Sequence, residues 1–176
     1  NDVDFAYGNE EVLLNVLDEY AGSGTVLWDE SHGQFYDLAT HSSFADYAED
    51  NGYTVDPTSD LPVDLPSADA VVVTSPSESF SETETGALAS FADDGGLVVL
   101  MDQSDFNNFD ATANLNDLAA GIDTTIRFND NQVLDSESNA GAEFVPVTTQ
   151  FDTDGFPQLF ADRQGLNLEL DPSEEY

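Results

Sequence analysis

Two uninterrupted apolar runs, Ala70-Val71-Val72-Val73 and Leu97-Val98-Val99-Leu100-Met101, constrain this chain most. A strand that is apolar at every position has no face to offer water, so it belongs in a sheet covered on both sides. Around these runs the apolar period switches to that of helices. Asn9 reads as an N-cap, and Val12, Leu13, Val16, Leu17 and Tyr20 recur at helical spacing until Gly22. A buried strand Thr25 to Trp28 follows, then a helix over Ser42–Asp50 and a strand Tyr53 to Val55. A Pro-rich connection (Pro57, Pro62, Pro66) leads to the run at Ala70 to Thr74. Ser81-Glu82-Thr83-Glu84 is a capping box, opening a helix that reaches about Asp93 before Gly95-Gly96. A further helix is predicted over Ala113 to Ala120. Thr124 to Phe128 and Gln132 to Leu134 read as strands flanking an Asn-Asp-Asn turn.

This alternation predicts an α/β fold, a three-layer αβα arrangement about a mostly parallel, doubly wound sheet of the flavodoxin or amidotransferase-like kind. The 176 residues suit one domain over 1–176. The chain begins at Asn1 without Met, and the expectation is a piece of a larger protein.

Charge decides what solvent that fold must live in. Thirty-seven acids stand against two Arg and no Lys, a formal charge of −35. A compact state concentrates such charge and is pushed apart by it. At molar salt the screening length falls to about 3 Å and most of the repulsion disappears. An acidic disordered tail would be poor in apolar residues, whereas this chain is 40% hydrophobic and 11% aromatic. The composition therefore predicts a folded, salt-adapted domain with an acidic surface. Direct nucleic-acid binding is excluded as a general mode, because no basic patch exists to displace phosphate counterions. No run approaches the 18 apolar residues of a membrane span, so membrane insertion is not expected. With no Cys, thiolate nucleophiles, thiolate metal sites and disulfides are absent.

Three stretches carry a resemblance: Val26 to Gly33, with Asp29-x-x-His32-Gly33; Phe44 to Val55; and Ala68 to Asp102, with its Ser-x-x-Glu helix before Gly95-Gly96. Together they resemble the class I glutamine amidotransferase-like superfamily. More narrowly, they are similar to its uncharacterised haloarchaeal members and to intraflagellar-transport and gliding-motility type domains. Trehalose-utilisation-type proteins share the second and third stretches. The resemblance covers about residues 25 to 105, and Asn114 to Phe151 is similar to the haloarchaeal subgroup alone. It implies a Cys nucleophile on the turn after the strand Leu97 to Met101, but Asp102-Gln103-Ser104 stand there, with no Gly-x-Ser-x-Gly elbow. Glutaminase chemistry is thereby excluded. The resemblance also implies a setting in larger exported or envelope proteins, sometimes beside nuclease or lamin-tail-like domains. A place outside the cell or in its envelope, in high salt, is favoured over the cytoplasm.

In doubly wound sheets ligands bind beyond the carboxyl ends of the strands. The candidates gathered there are Asp29, Glu30 and His32 after the first strand, Ser75 and Ser77 after the third, and Asp102, Ser104 and Asp105 after the fourth. Such a set suits a hard cation (Na, K, Mg or Ca) or a small polar ligand, with Asp29, His32 and Asp102 as the metal candidates. The competing reading is a set of solvated loop acids, and for His32 a structural bridge across its loop. Asp29 with Asp102 as an acid and base pair, and Ser104 with His32 as nucleophile and base, are the catalytic alternatives. Arg127 and Arg163 read as anchors paired with carboxylates. Asp152-Thr153-Asp154-Gly155 and Asn139-Ala140-Gly141 read as turns.

The leading expectation is a non-catalytic ligand-binding or interaction module of a halophilic protein, its partner a neighbouring domain of the same parent chain or a small polar ligand. The alternatives are a carboxylate and His hydrolase, metal-assisted or not, an accessory domain of an exported nuclease, and a structural spacer.

Overall fold

A computed structural model describes residues 9–103, 107–148 and 150–161. The described residues fall into two compact units, 21–131 and 9–20 together with 132–161.

The first unit is α/β. Its strands are β1 (Thr25–Asp29), β2 (Thr54–Thr58), β3 (Ala70–Thr74) and β4 (Leu97–Met101), all parallel, in the order β2-β1-β3-β4. Chain direction across the sheet reverses between β1 and β3, which makes it doubly wound. With α1 (Asn9–Tyr20) assigned to the second unit, the helices here are α2 (Ser42–Asp50), α3 (Leu61–Asp64), α4 (Glu82–Asp93) and α5 (Thr112–Gly121).

Alternation along the strands sends their side chains into two cores. Leu27, Val71 and Val73 pack with Leu61, Leu65, Leu88, Leu115 and Leu118 from α3, α4, α5 and the turn after α3. Trp28 points the other way and meets Phe44 of α2, ring centroids 6.1 Å apart. Helices on both faces complete the three layers. β3 is buried at all five positions, as its continuous apolar sequence requires.

Local sequence starts α4 as expected, whereas Asn9, read from sequence as an N-cap, is the first described residue of α1 itself. Ser81 accepts from Glu84 N while Glu84 accepts from Ser81 N, so the capping box is complete. The Pro-rich connection is not featureless: Pro62 sits in the first turn of α3, where its missing N–H costs nothing.

The sequence differs from the structure after α5. Thr124–Phe128 and Gln132–Leu134 form no strand. Strands require partners, and here local groups take the backbone instead. The Asn116 amide donates to Phe128 O (3.1 Å) and accepts from Phe128 N (2.7 Å), while Asn131 N donates to Asn129 Oδ1. Ile126, Val133 and Leu134 are consequently 73%, 69% and 59% exposed.

In the second unit Asn15 of α1 donates to the carbonyls of Leu159 and Ala161. The Asp152 and Asn139 segments are turns, each side chain accepting from the Gly that follows. No helix among the described residues is long and apolar enough to cross a membrane.

Candidate functional site

The carboxyl ends of β1, β3 and β4 open on one edge of the sheet, and the polar groups there form two separate hydrogen-bonded knots. Asp29 centres the first. It is the last residue of β1 and 0% exposed. Its Oδ1 accepts from Ser31 N (3.0 Å) and Ser31 Oγ, and its Oδ2 accepts from His32 Nδ1 (3.0 Å) and from the Gln34 amide. Four donors fill the four lone-pair positions of a carboxylate.

His32 extends this knot to α4. Its Nε2 lies 3.4 Å from Glu84 Oε2, and its ring stacks on Phe80 with centroids 3.7 Å apart. Burial pulls the imidazole pKa down, but the hydrogen bond and charge of Asp29, helped by Glu84, outweigh it, and the net shift is upward. Glu84 is held below the usual carboxylate range by the Ser81 hydrogen bonds first and by His32 second. A charged His32 between two carboxylates is the arrangement these shifts favour.

The loop after β1 is stapled to that after β3. Glu78 N donates to His32 O (3.0 Å) and Ser77 Oγ to Gly33 O (2.8 Å). Gly33 has φ +61°, and a Cβ there would stand 2.5 Å from Ser77 Oγ. Glycine is required on both counts. Exposed Glu30 does not enter the knot; its Oε1 accepts from Leu38 N.

Asp102 centres the second knot. Its carboxylate accepts from Ser75 Oγ (3.1 Å), Gln103 N (2.9 Å), Ala111 N (2.9 Å) and Thr112 Oγ1 (3.2 Å). Ala111 is the N-cap residue of α5 and has no side-chain acceptor, so Asp102 supplies the cap from a distance. Asp102 is therefore half-buried framework, not a solvated loop acid.

Asp29 and Asp102 share an edge but not a cluster. β3 lies between their strands, which separates them by about 10 Å at the usual strand spacing. Ser75 joins the second knot and Ser77 the first, while Ser104 and Asp105 lie outside the described residues, as does Arg163. Among the described residues no three His, Asp or Glu side chains are grouped to hold a metal ion. Arg127 anchors its loop through the Thr124 and Ile126 carbonyls, both at 2.6 Å, and among the described residues it pairs with no carboxylate. It is exposed, so nearby carbonyls compete well against water-screened acids.

Sequence reasoning missed Ser31, Gln34 and Glu84 as partners of Asp29 and His32. Glu84 was legible only as a capping residue, because its contact with His32 crosses from one loop to a distant helix. A concavity of about 500 Å³ lies at the opposite, amino end of the sheet, lined by Leu65, Pro66, Asp69, Phe91 and Gly96 among others. Asp69 there accepts from Thr25 N (2.9 Å).

No curated protein and no solved structure matches the chain. The model of one family, described as a domain of unknown function (DUF4350), matches residues 41–165, and the chain belongs to that family.

Proposed function

We propose that this chain is a non-catalytic ligand-binding or interaction module of a salt-adapted protein, with an amidotransferase-like fold whose carboxyl edge has become framework. One observation carries the reading: Asp29 and Asp102 each already accept from four protein donors. A general base or metal ligand needs a lone pair aimed at its substrate or ion. The charge of −35 supports a high-salt setting, outside the cell or in its envelope beside other domains of a parent protein.

One feature favours a hydrolase instead. Ser75, at the end of β3, has φ +33°, a strained backbone of the kind nucleophile elbows use. Its hydroxyl donates to Asp102, however, and the next residue is Pro76. Such elbows take an oxyanion donor from the N–H of the following residue, which proline lacks.

The test is an activity screen in molar KCl. The chain is expected to release no ammonia from glutamine and to take no fluorophosphonate label. Stoichiometric labelling of Ser75 or Ser104, or ester hydrolysis abolished by Asp102→Asn in a folded variant, would overturn the reading.

A further inference from the structure

The two side edges of the sheet differ in chemistry. On β2, Thr54 N donates to Gly24 O and Thr58 O accepts from Glu30 N, so residues 54, 56 and 58 turn their backbone groups toward β1. Residues 55 and 57 face outward. Position 57 is proline, which has no N–H to offer, and Asp56 beside it is exposed. Proline and charge are the usual means of stopping a sheet from growing.

β4 carries neither. Leu97 N donates to Asp69 O and Met101 O accepts from Ser75 N, so Leu97, Val99 and Met101 face β3. Val98 and Leu100 therefore turn their N–H and C=O outward. No described residue hydrogen-bonds to them on that side. All five residues are apolar and only half-buried, an unprotected edge that invites another strand.

We propose that β4 joins two copies of this chain, pairing antiparallel with its counterpart across a two-fold axis so that the two four-stranded sheets become continuous. Three observations select a second copy. The strand is apolar on both faces and so complements itself. It has no ionisable residue, so the paired strands bring no charge of this −35 chain face to face. Pairing centred on Val99 sets Val98 of one copy opposite Leu100 of the other, and their outward groups exchange hydrogen bonds in both directions. Because Pro57 closes the other edge, the assembly stops at a dimer instead of extending into a filament. The proposal is independent of the carboxyl-edge reading, since it uses a different edge of the sheet.

Sedimentation and light scattering in molar KCl test it, with Val98→Pro as the variant. The substitution removes an outward N–H and leaves the β3 ladder intact. Wild type is expected to dimerise, and the variant, folded by circular dichroism, to dissociate about thirtyfold more readily because two hydrogen bonds are lost across the axis. Hydrogen exchange on wild type serves if the variant fails to fold: Val98 and Leu100 amides should gain protection as concentration rises. A monomer at every concentration would overturn the proposal. So would a dimer in which both amides exchange freely. Protection already complete in dilute monomer would mean that the chain covers its own edge, and would overturn it equally.

Discussion

Replacing His32 with Gln tests whether the first knot is framework. In the native chain His32 supplies one of four hydrogen bonds to fully buried Asp29, reaches Glu84, and stacks on Phe80. Removing one partner of a buried ion pair costs roughly 3–5 kcal/mol when the other is left bare. Asp29 is not left bare, since Ser31 and Gln34 still donate three bonds, so about 2 kcal/mol is the better figure for this loss. Losing the ring stack adds about 1 kcal/mol. A total near 3 kcal/mol lowers Tm by about 6–12 °C for a chain of this size. The sign of the pH dependence is fixed by the upward shift of His32 from 6.5. Its charged form contributes stability that is fully present below the unfolded value and is lost as pH rises through the higher folded value. Thermal unfolding by circular dichroism in molar KCl, at several pH values, is the assay. The gap between wild type and variant should be widest on the acid side and narrow toward alkaline pH. A Tm change within error at every pH, or a gap that widens with pH, would show that His32 does not bridge Asp29 and Glu84 as a charged group.

Other perturbations probe the same framework. Wild-type Tm should climb steeply from low to molar KCl, and a Tm already constant from low salt upward would contradict a salt-adapted surface. Gly33→Ala should cost about 1–2 kcal/mol in chemical denaturation, because alanine is strained at φ +61° and its Cβ meets Ser77 Oγ. Asp102→Ala should cost about 2–3 kcal/mol, since α5 loses its remote cap and Ser75 and Thr112 lose their acceptor. A neutral result would return Asp102 to the solvated acids.

The fold was legible where sequence and packing make the same demand. Val71 to Val73 can only be a strand covered on both faces, and Ser81 with Glu84 marks a helix start without help from the rest of the chain. Thr124 to Phe128 misleads for a physical reason: its β-branched and aromatic residues suit a strand, but pairing is non-local, and Asn116 takes the Phe128 backbone. The strand-end acids could be located from sequence, but their use could not. Whether Asp102 waits for a ligand or caps a helix depends on Ala111 being a poor N-cap and on α5 beginning beside it. Sequence alone leaves His32 as ligand or bridge, because Glu84, the residue that favours the bridge, lies on another element.

The carboxyl-edge side chains are engaged by the protein itself, and His32 is the best reporter of that engagement. Nitrogen-15 NMR of the imidazole through a pH titration in molar KCl reads both ring nitrogens. Nδ1 and Nε2 are both expected to remain protonated above pH 6.5, the ordinary imidazole value, held by Asp29 and Glu84. An imidazole that loses its proton below that value, with one nitrogen free to accept a metal or a substrate proton, would contradict it.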